Sequence, residues 1–223
     1  MTYKAVLFDL DGTLLDTLDD LGDSMNAVLA SRGYPTHPIR SFTGFVGDGV
    51  ENLVRRALPP GAGLDEALVA EIVPLMRAQY AHRWKDKTRP YDGIPETLDA
   101  LAARGLRLAV LSNKPHPATV EVVDHFFPPR RFEAVFGARP GVPIKPDAGA
   151  ALDVARGLGI PPREFLYLGD TNTDMETANA AGMFAVGALW GFRTADELLQ
   201  SGARVLVSHP RDLLTVLDRP PTA

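Results

Sequence analysis

Short, continuous apolar runs at 106–111, 134–136, 165–168, 184–186 and 205–207 alternate with stretches of helical period around 95–103, 117–126, 148–158, 175–181 and 195–200. Strands apolar on both faces, separated by helices, predict a parallel sheet covered on both sides. The run Ala5-Val6-Leu7-Phe8 supplies one more strand near the start of the chain. Between that strand and residue 90 the pattern changes. Leu14, Leu18, Leu21, Met25, Val28 and Leu29 recur at three- and four-residue steps, with Asp16, Asp19, Asp20 and Asp23 between them, as in an amphipathic helix. Asp16 or Thr17 is placed to cap its start and Gly33 to end it. A second helix follows Gly49 through Val50, Leu53, Val54 and Leu58 until Pro59-Pro60, and a third runs from 65 to 85 with a bend expected at Pro74. No strand pattern occurs between Asp16 and Thr88.

The predicted fold is therefore α/β: a doubly wound, Rossmann-like parallel sheet with a small helical cap domain inserted after the first strand. The expected division is 1–14 with 90–223 for the core and 15–89 for the cap, with hinges near 14–17 and 86–91. The Pro-rich tail, 219–223, is expected to fray.

Composition narrows the function classes. The 223 residues, 45% hydrophobic and 23% charged, are long enough for a sizeable core. With 23 basic against 28 acidic residues the net charge is −5. No basic block offsets it, which argues against nucleic acid. The chain has no cysteine, which excludes disulfides, thiolate metal sites and a Cys nucleophile. Its five histidines show no metal-ligand spacing. Four apolar residues before Asp9 do not make a signal peptide, and no apolar stretch is long enough to span a membrane. The expectation is a cytoplasmic protein with no membrane partner.

Four predicted strand ends carry polar groups that packing does not require: Asp9 and Asp11 after the first strand, Ser112-Asn113-Lys114 after 106–111, Lys145 before the helix at 148–158, and Asp170 to Asp174 after 165–168. In a parallel sheet these ends share one edge, where open α/β sheets place their ligands. Each member alone has a structural reading. Asp170 is a possible helix cap, Thr173-x-x-Glu176 fits a capping box, Ser112 can cap the helix after Pro115, and Lys145 can be a solvated loop lysine.

The set as a whole suits phosphoryl transfer to a carboxylate. A carboxylate approaching a phosphate dianion needs its repulsion removed, which Mg²⁺ does with one or two carboxylates and a phosphate oxygen as ligands. Asp9 and Asp170 can supply those carboxylates. Lys145 neutralises a phosphoryl oxygen, and the Ser112 hydroxyl holds another. Asp11 can protonate the leaving oxygen and later activate water.

With Asp9-x-Asp11-Gly12-Thr13, Ser112-Asn113-Lys114-Pro115, Lys145-Pro146 and Gly169-Asp170-Thr171-x-x-Asp174 in this order, the chain resembles the haloacid dehalogenase superfamily of phosphohydrolases over nearly its whole length. The resemblance implies Asp9 as nucleophile and metal ligand, and Asp11 as general acid and base with its backbone carbonyl on Mg²⁺. It implies Asp170 and Asp174 at the metal, and Ser112, Asn113 and Lys145 as phosphate contacts. Thr13 would hold the turn and the Asp11 side chain. The paired aspartates tell against haloacid dehalogenation. The only cap lysines, Lys85 and Lys87, sit at the cap's exit, which tells against imine chemistry.

Within the superfamily, Ser112-Asn113-Lys114-Pro115, the cap segment Gly44-Phe45-Val46-Gly47-Asp48-Gly49-Val50 and Leu189-Trp190-Gly191-Phe192-Arg193 resemble the phosphoglycolate phosphatases. The expected substrate is a small phosphate ester, 2-phosphoglycolate first. A sugar-phosphate phosphatase, a pyrophosphatase and a phosphomutase are alternatives. The cap loop at 44–49, centred on Gly47, is expected to read the non-phosphate end of the substrate; the competing reading is a turn in which Asp48 caps the next helix. Trp84 and Trp190 are read as packing residues and Arg193 as a surface residue. A receiver-like phospho-accepting module is the alternative of a different class. Length, the helical insertion and an acceptor on the first strand all oppose it.

Overall fold

The computed structural model describes residues 3–218, so the tail at 219–223 lies outside the described residues. In chain order the elements are β1 (Ala5–Phe8), β2 (Leu15–Asp16), α1 (Leu18–Ser31), α2 (Val50–Ala57), α3 (Glu66–Arg83), β3 (Arg89–Pro90), α4 (Ile94–Ala103), β4 (Arg107–Pro115), α5 (His116–Phe126), β5 (Ala134–Ala138), α6 (Gly149–Leu158), β6 (Phe165–Gly169), α7 (Asn172–Ala180), β7 (Phe184–Ala188), α8 (Ala195–Gln200), β8 (Val205–Val207) and α9 (Asp212–Leu217). They fall into two compact units, Met1–Leu15 with Pro90–Ala223, and Asp16–Arg89.

The first unit is built on a six-stranded sheet of order β5-β4-β1-β6-β7-β8, parallel at each pairing. The chain starts in the middle, winds outward to β5 and then returns to the other side of β1. The order therefore reverses between β1 and β6, the switch point at which doubly wound sheets bind ligands. All four residues of β1 are buried, so the sequence there is apolar without alternation. One side of the sheet packs Leu7, Ala109, Phe165 and Tyr167 against Ala151, Val154 and Met175 of α6 and α7.

The second unit packs α1 and α2 on α3 around Met25, Leu29, Val54, Ile72 and Met76. Gly33 ends α1 with φ +71, and the Tyr34 N–H reaches back to the Leu29 carbonyl at 2.9 Å, the six-to-one bond of a glycine-terminated helix. The start of α1 departs from expectation: Thr17 occupies the cap position but makes no side-chain cap bond, and its buried hydroxyl has no partner. Asp16 pairs with Arg89 at 3.4 Å instead. Pro74 lies inside α3, which continues through it as one 18-residue helix. Asp48 does not cap α2, whose cap residue is Gly49; its carboxylate is paired with Arg56.

In the first unit β4 runs through Ser112, Asn113 and Lys114 to Pro115, beyond the apolar run that predicts it. Helix α7 begins at Asn172, three residues before the predicted start. The Asp174 carboxylate accepts from the Thr171 N–H at 3.0 Å and the Thr171 hydroxyl at 2.6 Å. This reach-back, and not one between Thr173 and Glu176, fixes the first turn. Helix α9 has no counterpart in the predicted pattern. No described helix is long and apolar enough to cross a membrane.

Candidate active site

The site grows from the switch point. Asp9 follows β1 directly, and its N–H donates to the Leu168 carbonyl of β6 at 3.0 Å, which holds the two strand ends in register. Asp170 follows β6, and Asp174 lies one turn into α7. A side chain at Gly169 would run into the Asp174 carboxylate, so a residue without Cβ is required for α7 to bring Asp174 over the strand end. The result is a trio: Asp9, Asp170 and Asp174 each offer a carboxylate oxygen within 4.8 Å of the others, and all three are buried.

One ammonium stands among them. Lys145 is 3% exposed, which removes the reading of a solvated loop lysine. Its Nζ donates to Asp9 Oδ1 at 2.8 Å, to Asp174 Oδ1 at 2.7 Å and to the Leu111 carbonyl at 3.2 Å. These contacts use all three of its N–H groups. Asn113 fixes the lysine's backbone: its Oδ1 accepts from the Lys145 N–H at 2.9 Å, and its Nδ2 donates to the Lys145 carbonyl at 3.1 Å. Ser112 is buried, and its Oγ accepts from the Lys114 N–H at 3.1 Å.

Three carboxylates against one cation leave a strained balance. Burial, and then the Asp174 charge, hold Asp9 well above the usual carboxylate range despite Lys145. Burial and Asp174 push Asp170 up to about 7, although Thr13 and the Phe192 amide pull it down. Burial alone would lower the Lys145 ammonium, but Asp174 and Asp9 keep it well above its ordinary value. Like charges this close in a desolvated site favour protonation unless a cation arrives. A donor set of carboxylate oxygens without His or Cys suits a hard divalent cation.

Asp170 is held on both oxygens: the Thr13 hydroxyl donates to Oδ1 at 2.6 Å and the Phe192 N–H to Oδ2 at 2.9 Å. Thr13 thus bonds Asp170, where the resemblance had implied Asp11. Asp174 also accepts from the Tyr167 hydroxyl at 3.2 Å. The Asp11 carboxylate stands outside the trio and is paired with Lys114, both side chains being largely buried. Gly47 lies in the helical unit, in the loop before α2, with φ +123.

Four contributors escape the sequence reading. Lys114 sits inside a motif read for its neighbours. Tyr167 is one more apolar-strand residue in the pattern. Phe192 acts through its backbone N–H, which leaves no side-chain signal. Trp190, read as packing, donates its indole N–H to the Thr13 carbonyl at 3.0 Å.

Comparison with known proteins shows the family. Residues 6–188 match the haloacid dehalogenase-like hydrolase family. The chain is 32% identical over 214 residues to the phosphoglycolate phosphatase of Pseudomonas syringae pv. tomato, covering 95% of this chain and 78% of that protein. It is 34% identical over 224 residues to the N-acetylmuramic acid 6-phosphate phosphatase of Pseudomonas aeruginosa, covering 98% and 96%. A solved structure from Lactobacillus delbrueckii subsp. bulgaricus, provisionally described as a phosphoglycolate phosphatase, superposes with TM-score 0.90 at 29% identity, over 97% of this chain and 99% of that one.

Proposed function

We propose that this chain, which belongs to the haloacid dehalogenase-like hydrolase family and is a phosphoric monoester hydrolase, is a cytoplasmic Mg²⁺-dependent phosphatase that hydrolyses 2-phosphoglycolate through a phosphoaspartate on Asp9. The observation that carries this reading is the buried trio Asp9, Asp170 and Asp174 around Lys145 at the sheet's switch point.

In the proposed mechanism Asp9, Asp170 and Asp174, with the backbone carbonyl of Asp11, would hold the cation. Bound there, Mg²⁺ would offset the charge that separates a carboxylate from a phosphate dianion. Lys145 aims the Asp9 carboxylate, and Asn113 in turn fixes Lys145. Asp9 forms a bond to phosphorus as the ester P–O bond breaks, and Asp11 gives the leaving oxygen its proton. Asp11 then takes a proton from water as the water oxygen attacks phosphorus and frees Asp9. Ser112 binds a phosphoryl oxygen, and Lys114 keeps the Asp11 carboxylate in place. Most of the rate gain is electrostatic, since the groups are ordered before substrate arrives.

Substrate choice belongs to the helical unit, with Gly47 in the loop we assign to it. A second reading is favoured by one observation: the N-acetylmuramic acid 6-phosphate phosphatase matches 98% of this chain at 34% identity, against 95% and 32% for the Pseudomonas syringae phosphoglycolate phosphatase. Both esters carry a carboxylate as well as a phosphate, so the shared class is the phosphate monoester of a hydroxy acid. Phosphate release from phosphoglycolate, N-acetylmuramate 6-phosphate, glucose 6-phosphate and pyrophosphate, compared by kcat/KM, decides. Phosphoglycolate is expected to lead; a lead of tenfold or more for any other ester, on the order of 1.4 kcal/mol in transition-state binding, overturns the assignment. EDTA should abolish turnover and added Mg²⁺ should restore it.

A further inference from the structure

We propose that residues 190–192 form a strap that positions the Asp170 carboxylate for the divalent cation; the proposal rests on the metal reading given above. Lys145 bonds Asp9 and Asp174, and Asp170 receives no such contact from it. The two donors on Asp170 are neutral, Thr13 Oγ1 and the Phe192 N–H, one on each oxygen. The strap reaches both: it supplies the Phe192 amide, and Trp190 clamps the Thr13 backbone through its indole N–H. One three-residue segment therefore ties the turn after β1 to the carboxylate after β6.

Gly191 makes this approach possible. A Cβ built there would overlap the Asp170 side chain at Cβ, Cγ and Oδ2. Its φ lies outside the left-handed region, so close approach alone and not backbone conformation requires glycine. Packed against the carboxylate in this way, the strap excludes other orientations of Asp170. A carboxylate oxygen of Asp170 held in this way lies within 4.8 Å of a carboxylate oxygen of Asp9 and of Asp174. Groups that orient a ligating carboxylate are part of a metal site's affinity. Trp190 and Gly191 are thus positioning residues, with no contact to reacting atoms.

The test titrates Mg²⁺ and Mn²⁺ into substrate-free protein by calorimetry, with thermal unfolding in EDTA as the control. Gly191→Ala is expected to weaken metal binding by about 10- to 100-fold. Trp190→Phe keeps an aromatic ring, smaller than the indole, and loses the N–H bonded to the Thr13 carbonyl, and a few-fold weakening is expected. In both variants added Mg²⁺ recovers lost rate while KM for the phosphate ester stays near wild type. If Gly191→Ala does not fold, Trp190→Phe carries the test. Folded variants with wild-type metal affinity overturn the strap and leave the metal centre standing. A wild-type protein that binds neither ion overturns the metal reading and the strap with it.

Discussion

Asp20 in the helical unit and Asp170 in the sheet unit are equally deep, 1% and 0% exposed, yet their surroundings give them opposite tasks. Asp20 accepts from the Lys87 N–H at 3.1 Å, the Thr88 N–H at 2.8 Å and the Thr88 hydroxyl at 2.7 Å. No second carboxylate joins it in a cluster of metal-ligand type among the described residues. Its charge is answered by donors, and it fastens the last residues of the unit to α1. Asp170 has two donors but also two carboxylates in ligand range. Donors satisfy a buried anion, whereas crowded anions wait for a cation. Burial alone does not mark chemistry; the sign of the neighbours does.

The contrast is broken most severely at the nucleophile. Asp9→Asn should lower kcat by about 10⁴–10⁶-fold in a protein that still folds, measured by phosphate release. Asp20→Ala should do the reverse: it strands two backbone N–H groups and a hydroxyl, costs about 2–4 kcal/mol of stability in urea unfolding, and leaves kcat within a few-fold of wild type.

A subtler break uses pH. Burial and the Asp174 charge push Asp170 up to about 7 in the fold, against about 4 in an unfolded chain, and Asp9 is shifted in the same direction. The native state therefore binds more protons than the unfolded one. The Asp170 contribution to stability is fully present below about pH 4 and is lost as pH rises through about 7; the upward shift of Asp9 acts in the same sense. Metal-free protein should lose Tm across that window, and saturating Mg²⁺ should remove the loss, because binding displaces the protons. A Tm that rises over the same window without metal would mean the carboxylates are not crowded.

The smallest effect belongs to the helical unit's loop. Gly47→Val should change the kcat/KM ratio between phosphoglycolate and a neutral aryl phosphate by a few-fold. Equal losses on both would remove this loop from substrate choice.

Much of the sheet unit was legible because its strands are buried on both faces and read as uninterrupted apolar runs; 205–207 matches β8 residue for residue. Legibility fails where polar residues continue an element. Ser112, Asn113 and Lys114 extend β4 although none of them is apolar. Asn172, Thr173 and Asp174, poor helix formers, hide the first turn of α7. In the site, Asp9 and Asp170 are visible as charges just after strands, Asp174 lies in the helix that follows and Lys145 in the loop before α6, and the structure brings all four together. What is hidden acts through backbone or through a partner far along the chain: the Phe192 amide, the Trp190 indole on Thr13, and Lys114 across from Asp11. Such contacts have no period and no local spacing.

The most direct test of the contrast is Mg²⁺ titration by calorimetry of wild type, Asp20→Asn and Asp170→Asn side by side. Wild type and Asp20→Asn should bind one ion with similar affinity, and Asp170→Asn should show no measurable binding. Equal affinity in all three proteins would contradict the assignment of the buried trio as the metal site.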